Sequence, residues 1–281
     1  MRLAHRYHLH VLADLTATPP DMADCPSGTP SRESYRCPPR RAREWGRAVG
    51  EIAAHSRGVI GDFEILNEPD GHWSFLGSPQ QYAAVLAASY DAVHAANPTA
   101  RVALGGLVHI GPRGRQWMDA VLGTQGADAV HKFDVANIHL RLPPPEVADV
   151  ACGWKAYFSS KGFRGPLWVT ETGYPAARAA QTDSGYQDGM PSQARWLANV
   201  IPAMLADGIA KIFVTERDLG RGVFASEGLL DTPDPLPPHP TIKRRPSFYA
   251  VQRLAKGGWI TSERSYARGQ SRTAGGVAAG C

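Results

Sequence analysis

Six short apolar runs alternate with longer stretches in which apolar residues recur every three to four positions, the pattern of a parallel sheet wrapped by helices. The runs that read as strands are residues 8–14, 61–67, 101–107, 133–138, 166–171 and 210–215. The helical stretches are residues 41–56, 79–96, 114–122, 145–160, 191–206 and 247–255. Ser78 followed by Pro79 predicts an N-cap with Pro in the first turn, and Asn97-Pro98 ends that helix. The alternation continues to about Leu254, so residues 1–258 read as one α/β domain. Residues 259–281, short of apolar side chains and rich in Gly, Ser, Arg and Ala, read as a disordered tail.

Composition narrows the class. With 43% hydrophobic and 20% charged residues the chain is an ordinary globular protein, and 30 Lys plus Arg against 26 Asp plus Glu leave a charge of only +4. That surplus is too small and too scattered for a nucleic-acid surface, and Arg40-Arg41-Ala42-Arg43 reads as a solvated helix face. No window reaches the run of about 18 apolar residues that a membrane span needs. The first residues lack the apolar core and cleavage site of a secretory signal, which makes the chain cytoplasmic, or secreted with its true beginning further upstream. Cys25 and Cys37 bracket a Pro-, Ser- and Gly-rich loop that a local disulfide would staple, with two free thiols as the alternative in a reducing compartment. Cys152 falls in a helical stretch and Cys281 is the last residue, and neither suggests chemistry.

In α/β sheets and barrels, ligands sit at the C-terminal ends of the strands, where loops vary over a rigid base. Every one of the six strands ends in polar groups here. Asp14, Thr16 and Thr18 follow the first, Asn67 and Glu68 the second, and His109 the third. Asn137, His139 and Arg141 follow the fourth, Glu171 and Tyr174 the fifth, and Glu216, Arg217 and Asp218 the sixth. A lone strand-end Glu commonly just caps the next helix, but two of them at one end of a sheet can flank a single bond and divide the duties of acid and nucleophile. Pro69 keeps Glu68 out of the right-handed helical region, which holds it at the rim.

The segments Phe63-Glu64-Ile65-Leu66-Asn67-Glu68-Pro69 and Leu167-Trp168-Val169-Thr170-Glu171-Thr172-Gly173 resemble the acid/base and nucleophile motifs of clan A retaining glycoside hydrolases, most nearly family 39 or a neighbouring family. The resemblance runs from about His8 to Leu254 and implies a (β/α)8 TIM-barrel fold. It implies Glu68 as general acid/base, Glu171 as nucleophile, and Asn67 as a partner for the sugar 2-hydroxyl. Trp73 is a candidate sugar platform and His139 a candidate hydrogen-bond partner of the carboxylates, each with core packing as the rival reading. Tyr174, Glu216 and Arg217 complete the candidate substrate-binding set. The expected partner is an oligosaccharide or glycoside, with no cofactor and no metal.

The sequence also departs from the clan. Arg141 stands where relatives carry an aromatic hydroxyl, and Thr215-Glu216-Arg217 where they often present a Trp. Aligning residues 61–67 with the fourth barrel strand leaves nothing for the first two, so the expected fold is a barrel truncated at its N-terminus to about six βα units. Two rivals follow. His8 and His10 have a metal-binding spacing, but they lie at the N-terminal end of their strand, opposite the active face. A degenerate, non-catalytic carbohydrate-binding relative is the other.

Overall fold

In the computed structural model, residues 2–177, 189–218, 225–231 and 242–257 are described. The chain divides into two compact units, Met1–His139 with Ala156–Trp168, and Leu140–Lys155 with Val169–Cys281. The expected tail, 259–281, lies outside the described residues.

The first unit is built on parallel strands. β1 (Val11–Leu15), β2 (Ile60–Ile65) and β3 (Arg101–Leu104) pair side by side, with Ala13 opposite Phe63 and Phe63 opposite Val102. The ladder continues through parallel bridges of Ala103 to Val135 and Leu107 to Ile138, and β4 (Ala136–Asn137) pairs with Leu167 and Trp168, where β5 (Leu167–Thr172) begins. β2 shows why these runs are strands: Phe63 and Ile65 are fully buried and Glu64 is 3% exposed, so both faces are covered.

α2 (Ala42–His55) and α3 (Pro79–Ala96) pack together, and Trp45 Nε1 donates to Ser89 Oγ at 3.1 Å across their contact. α3 starts with a capping box: Ser78 Oγ accepts from the Gln81 amide while Gln81 Oε1 accepts from the Ser78 amide. α4 (Pro112–Leu122) follows β3. A disulfide joins Cys25 to Cys37 with 5.0 Å between Cα atoms, within the loop between β1 and α2.

The second unit holds the start of α5 (Pro144–Ser160), the end of β5, α6 (Met190–Ala206), β6 (Ile209–Val214), and a short antiparallel pair, β7 (Leu230–Asp231) with β8 (Lys243–Arg244), ahead of α7 (Pro246–Lys256). Its core includes Trp154, Leu197, Val200, Met204 and Ile209. Two buried polar side chains are tied into this unit. Gln193, fully buried, donates to the carbonyls of Tyr174 and Glu227 at 2.9 Å each and accepts from Ser247 Oγ at 2.8 Å. Arg245 grips Asp218 through both terminal nitrogens at 2.8 and 2.7 Å.

The differences from the sequence reading are local. The chain starts with a helical turn, α1 (Arg2–Arg6), and β1 begins at Val11, so His8 and His10 lie outside it; both are exposed, and His8 has φ +52°. The run 133–138 contributes only two residues of regular strand. The β7–β8 pair interrupts the strand–helix alternation before α7.

Candidate active site

In the first unit, the chain leaves β2 with an abrupt change of direction. Leu66 has φ +62° and Glu68 φ +45°, a left-handed conformation unfavourable to residues with a side chain. The restriction imposed by Pro69 excludes the right-handed helix at Glu68, and the structure resolves it on the left-handed side. Such strain persists where surrounding contacts fix it. Here the Leu66 amide still donates to Leu15 at 3.1 Å, and the Gly71 amide donates to the Glu68 carbonyl at 2.9 Å. Asp70, its carboxylate 1% exposed, accepts from the amides of Val108 and His109 and contacts His109 Nδ1 at 3.0 Å, which ties the loop after β2 to the loop after β3.

Glu68 is half-buried and its carboxylate is engaged on both oxygens. Trp73 Nε1 donates to Oε2, and His139 Nδ1 lies 3.0 Å from Oε1. His139 follows β4, its side chain 2% exposed, with its amide donating to Leu107 at 2.8 Å. The imidazole lies directly over Gly106, where a Cβ would come within 2.0 Å of Nε2. Trp73 is exposed, with its ring centroid 5.9 Å from that of His109. Asn67 is half-buried, and its carbonyl accepts from Ser74 Oγ.

Beneath these groups lies a polar layer that the sequence reading left unassigned. Glu64 Oε1 accepts from the Gly106 amide at 2.8 Å and from Asn137 Nδ2 at 2.9 Å, and Asn137 Nδ2 also reaches the Leu104 carbonyl at 3.0 Å. Tyr82 donates to the Ile65 carbonyl and accepts from the Gly105 amide at 2.8 Å. Burial pushes its phenol far above the ordinary range, so it stays a neutral donor. The strand ends that carry Glu68 and His139 are thereby fixed from below. The visible signal was Glu64 in the middle of an otherwise apolar run.

In the second unit, Glu171 is the penultimate residue of β5. Its carbonyl accepts from the Leu140 amide at 3.3 Å, and the next residue, Thr172, donates from Oγ1 to the Leu140 carbonyl at 2.5 Å. Arg141 is thereby brought to Glu171, and its Nη2 donates to Oε1. The same guanidinium is held on its Nε edge by Glu227, with Nε to Oε1 at 2.9 Å and Nη2 to Oε2 at 3.2 Å. Glu227 is 1% exposed, and burial pushes its carboxyl above the ordinary range in spite of Arg141. Burial opposes the charge on Arg141 as well, but the two carboxylates outweigh it and hold the guanidinium above its ordinary value. Arg141 stays charged either way, so the cost of burial falls on Glu227.

The sequence reading missed Glu227, which sits in no strand or helix. An Arg in place of the aromatic hydroxyl was the only hint that it needed a carboxylate partner. Tyr174 is half-buried, its ring 5.4 Å from that of Trp196. Glu216 and Arg217 are exposed, and their backbone pairs with Leu230 through a hydrogen bond from its amide to the Glu216 carbonyl at 2.8 Å and a parallel bridge.

The fold is that of TIM-barrel glycoside hydrolases. A glucosidase from Croceicoccus marinus is matched over 67% of this chain and 42% of its own, with TM-score 0.54 and 19% identity. A fungal β-1,4-galactanase is matched over 82% of this chain and 76% of its own, with TM-score 0.57 and 15% identity. A family 39 glycoside hydrolase from the gut symbiont Bacteroides cellulosilyticus is matched over 89% of this chain and 51% of its own, with TM-score 0.56 and 16% identity. The chain thus spans about half the length or less of the first and third of these. No family model and no curated protein matches it. Among the described residues, no helix is long and apolar enough to cross a membrane.

Proposed function

We propose that the chain cleaves a β-linked glycoside by double displacement, with Glu68 as general acid/base and Glu171 as nucleophile. The observation that carries this reading is that each carboxylate stands at or just past the C-terminal end of a parallel strand and is oriented by neighbours suited to its role. The fold, shared with glycosidases, adds to it.

Glu68 must first protonate the leaving oxygen and then take a proton from water. His139 Nδ1 suits both states, accepting from the protonated carboxyl as one tautomer and donating to the carboxylate as the other. Trp73 Nε1 orients the second oxygen. Glu171 must stay ionised to attack, and Arg141 Nη2 donates to one of its oxygens. In the first step a Glu171 oxygen bonds to the anomeric carbon while the bond to the leaving group breaks, its electron pair taking the Glu68 proton. Water then attacks the same carbon, Glu68 removes its proton, and Glu171 departs as carboxylate. The chemistry needs two carboxyls and water, with no cofactor.

The test is a panel of aryl β-glycosides with paired variants. Glu171→Gln should abolish turnover of all of them, whereas Glu68→Gln should spare substrates whose leaving groups need no protonation. Equal loss of both on an activated aryl glycoside would remove Glu68 as the acid. A retaining mechanism further requires the two carboxyls about 5 Å apart, and a crystal structure placing them beyond about 9 Å would remove the pair.

A second reading, carbohydrate binding without turnover, is favoured by one observation: Arg141 ties down an oxygen of Glu171. Saturable binding of oligosaccharide by calorimetry, with no product released from any glycoside on the panel, would decide for it.

A further inference from the structure

We infer that Glu227 is a positioning residue for Glu171, acting through Arg141: it takes up part of the guanidinium charge before the reaction and remains as its counter-ion when the charge on Glu171 is consumed. The inference rests on the assignment of Glu171 as nucleophile.

The geometry is specific. Glu227 occupies Nε and one hydrogen of Nη2, a two-point grip that fixes the plane of the guanidinium, and the same Nη2 turns toward Glu171 Oε1. The grip is built into the fold. Thr215 Oγ1 lies 3.5 Å from Glu227 Oε2, and a Cβ on Gly173 would come within 2.8 Å of the same oxygen, so the glycine two residues after the nucleophile leaves the room that Glu227 fills. A carboxylate 1% exposed is a costly group to keep, and an apolar residue of similar size serves packing as well or better. Its charge therefore has a use.

That use follows from charge balance. Before reaction, one guanidinium faces two carboxylates. In the glycosyl-enzyme intermediate Glu171 is a neutral ester, and Glu227 remains beside the half-buried guanidinium as its carboxylate partner. By drawing on the same guanidinium it also weakens the hold of Arg141 on Glu171, leaving the nucleophile less stabilised in its resting form. Both effects lower the barrier to forming the ester, and neither assists its hydrolysis, which regenerates the carboxylate.

The neutral, isosteric variant Glu227→Gln separates this from a purely structural role, with Glu227→Met as the neutral substitute should the amide fail to fold. Pre-steady-state kinetics on a dinitrophenyl β-glycoside reads the two steps separately. Ester formation should slow on the order of tenfold while ester hydrolysis holds or accelerates, so any burst of dinitrophenol shrinks. Glu227→Asp, which keeps the charge, should retain the wild-type ratio of the two steps. An equal fall in both steps in the neutral variant, or slower hydrolysis of the ester, would overturn the role of Glu227. The parent assignment is checked separately: mass spectrometry of wild type treated with a 2-fluoroglycoside should find the label on Glu171. Its absence there would overturn the nucleophile and this inference together, whereas a labelled Glu171 with unaltered partition in the neutral variant sinks the inference alone.

Discussion

A methyl group at position 106 would collide with the imidazole of His139, because the Cβ would lie 2.0 Å from Nε2 and 2.3 Å from Cδ2. Gly106→Ala should therefore displace the ring from Glu68, cost about 1–3 kcal/mol as an overpacked site, and lower kcat/KM most on substrates that need protonation. Urea denaturation and rates on a leaving-group series check both parts. Glu227 gives a pH signature. Its folded-state pKa lies above the ordinary value of 4.5, so protonation stabilises the fold. That contribution is fully present below the unfolded value and is lost as pH rises through the folded one. Glu227→Gln does not titrate, so the stability of wild type relative to this variant should fall as pH rises above about 4. Denaturant midpoints across that range measure it, and a difference that grew with pH would mean that Arg141 outweighs burial.

Elements were legible where a regular pattern ran long enough to bury a face. α3 lies at residues 79–96 as read, because Ser78, Pro79 and Asn97 mark both of its ends. β4 was overestimated, since only two residues keep ladder geometry before the chain turns toward His139 and Arg141. The contribution of α3 to the site was not legible at all. Tyr82 reads as one more apolar residue on a buried helix face, yet its hydroxyl joins the ends of β2 and β3. Tyr82→Phe keeps the ring and strands the Gly105 amide, so it should cost about 1–3 kcal/mol. Chemical denaturation measures this, and a neutral result would mean that water or another acceptor replaces the hydroxyl.

Across the whole molecule, the strand–helix alternation was enough to give a parallel α/β fold, because it depends on hydrophobic period alone. The site was legible only in part. Glu68 and Glu171 stand out by motif, but Glu227, Asp70 and Glu64, which brace the residues and loops around them, are acidic residues whose partners lie far away in sequence, and no local pattern announces such a pair. The loop between β1 and α2 depends on a different device. Hydrogen bonds from Thr18 to Tyr35, Asp24 to Pro38 and Arg40 to Met22 already fold it back on itself, and the Cys25–Cys37 bridge closes it covalently. Replacing both cysteines by Ser should cost about 2–3 kcal/mol, as expected for a bridge spanning twelve positions. The loss should appear in denaturant midpoints.

The left-handed backbone at Glu68 sets selection for durability against selection for catalysis at one position. Asn tolerates that conformation better than Glu, so Glu68→Asn should raise stability by about 1 kcal/mol, visible as a higher melting temperature, while removing the proposed acid. A library of this chain screened for heat tolerance alone should therefore enrich Asn or Gly at position 68, and its hardiest members should be the ones that no longer turn over unactivated glycosides.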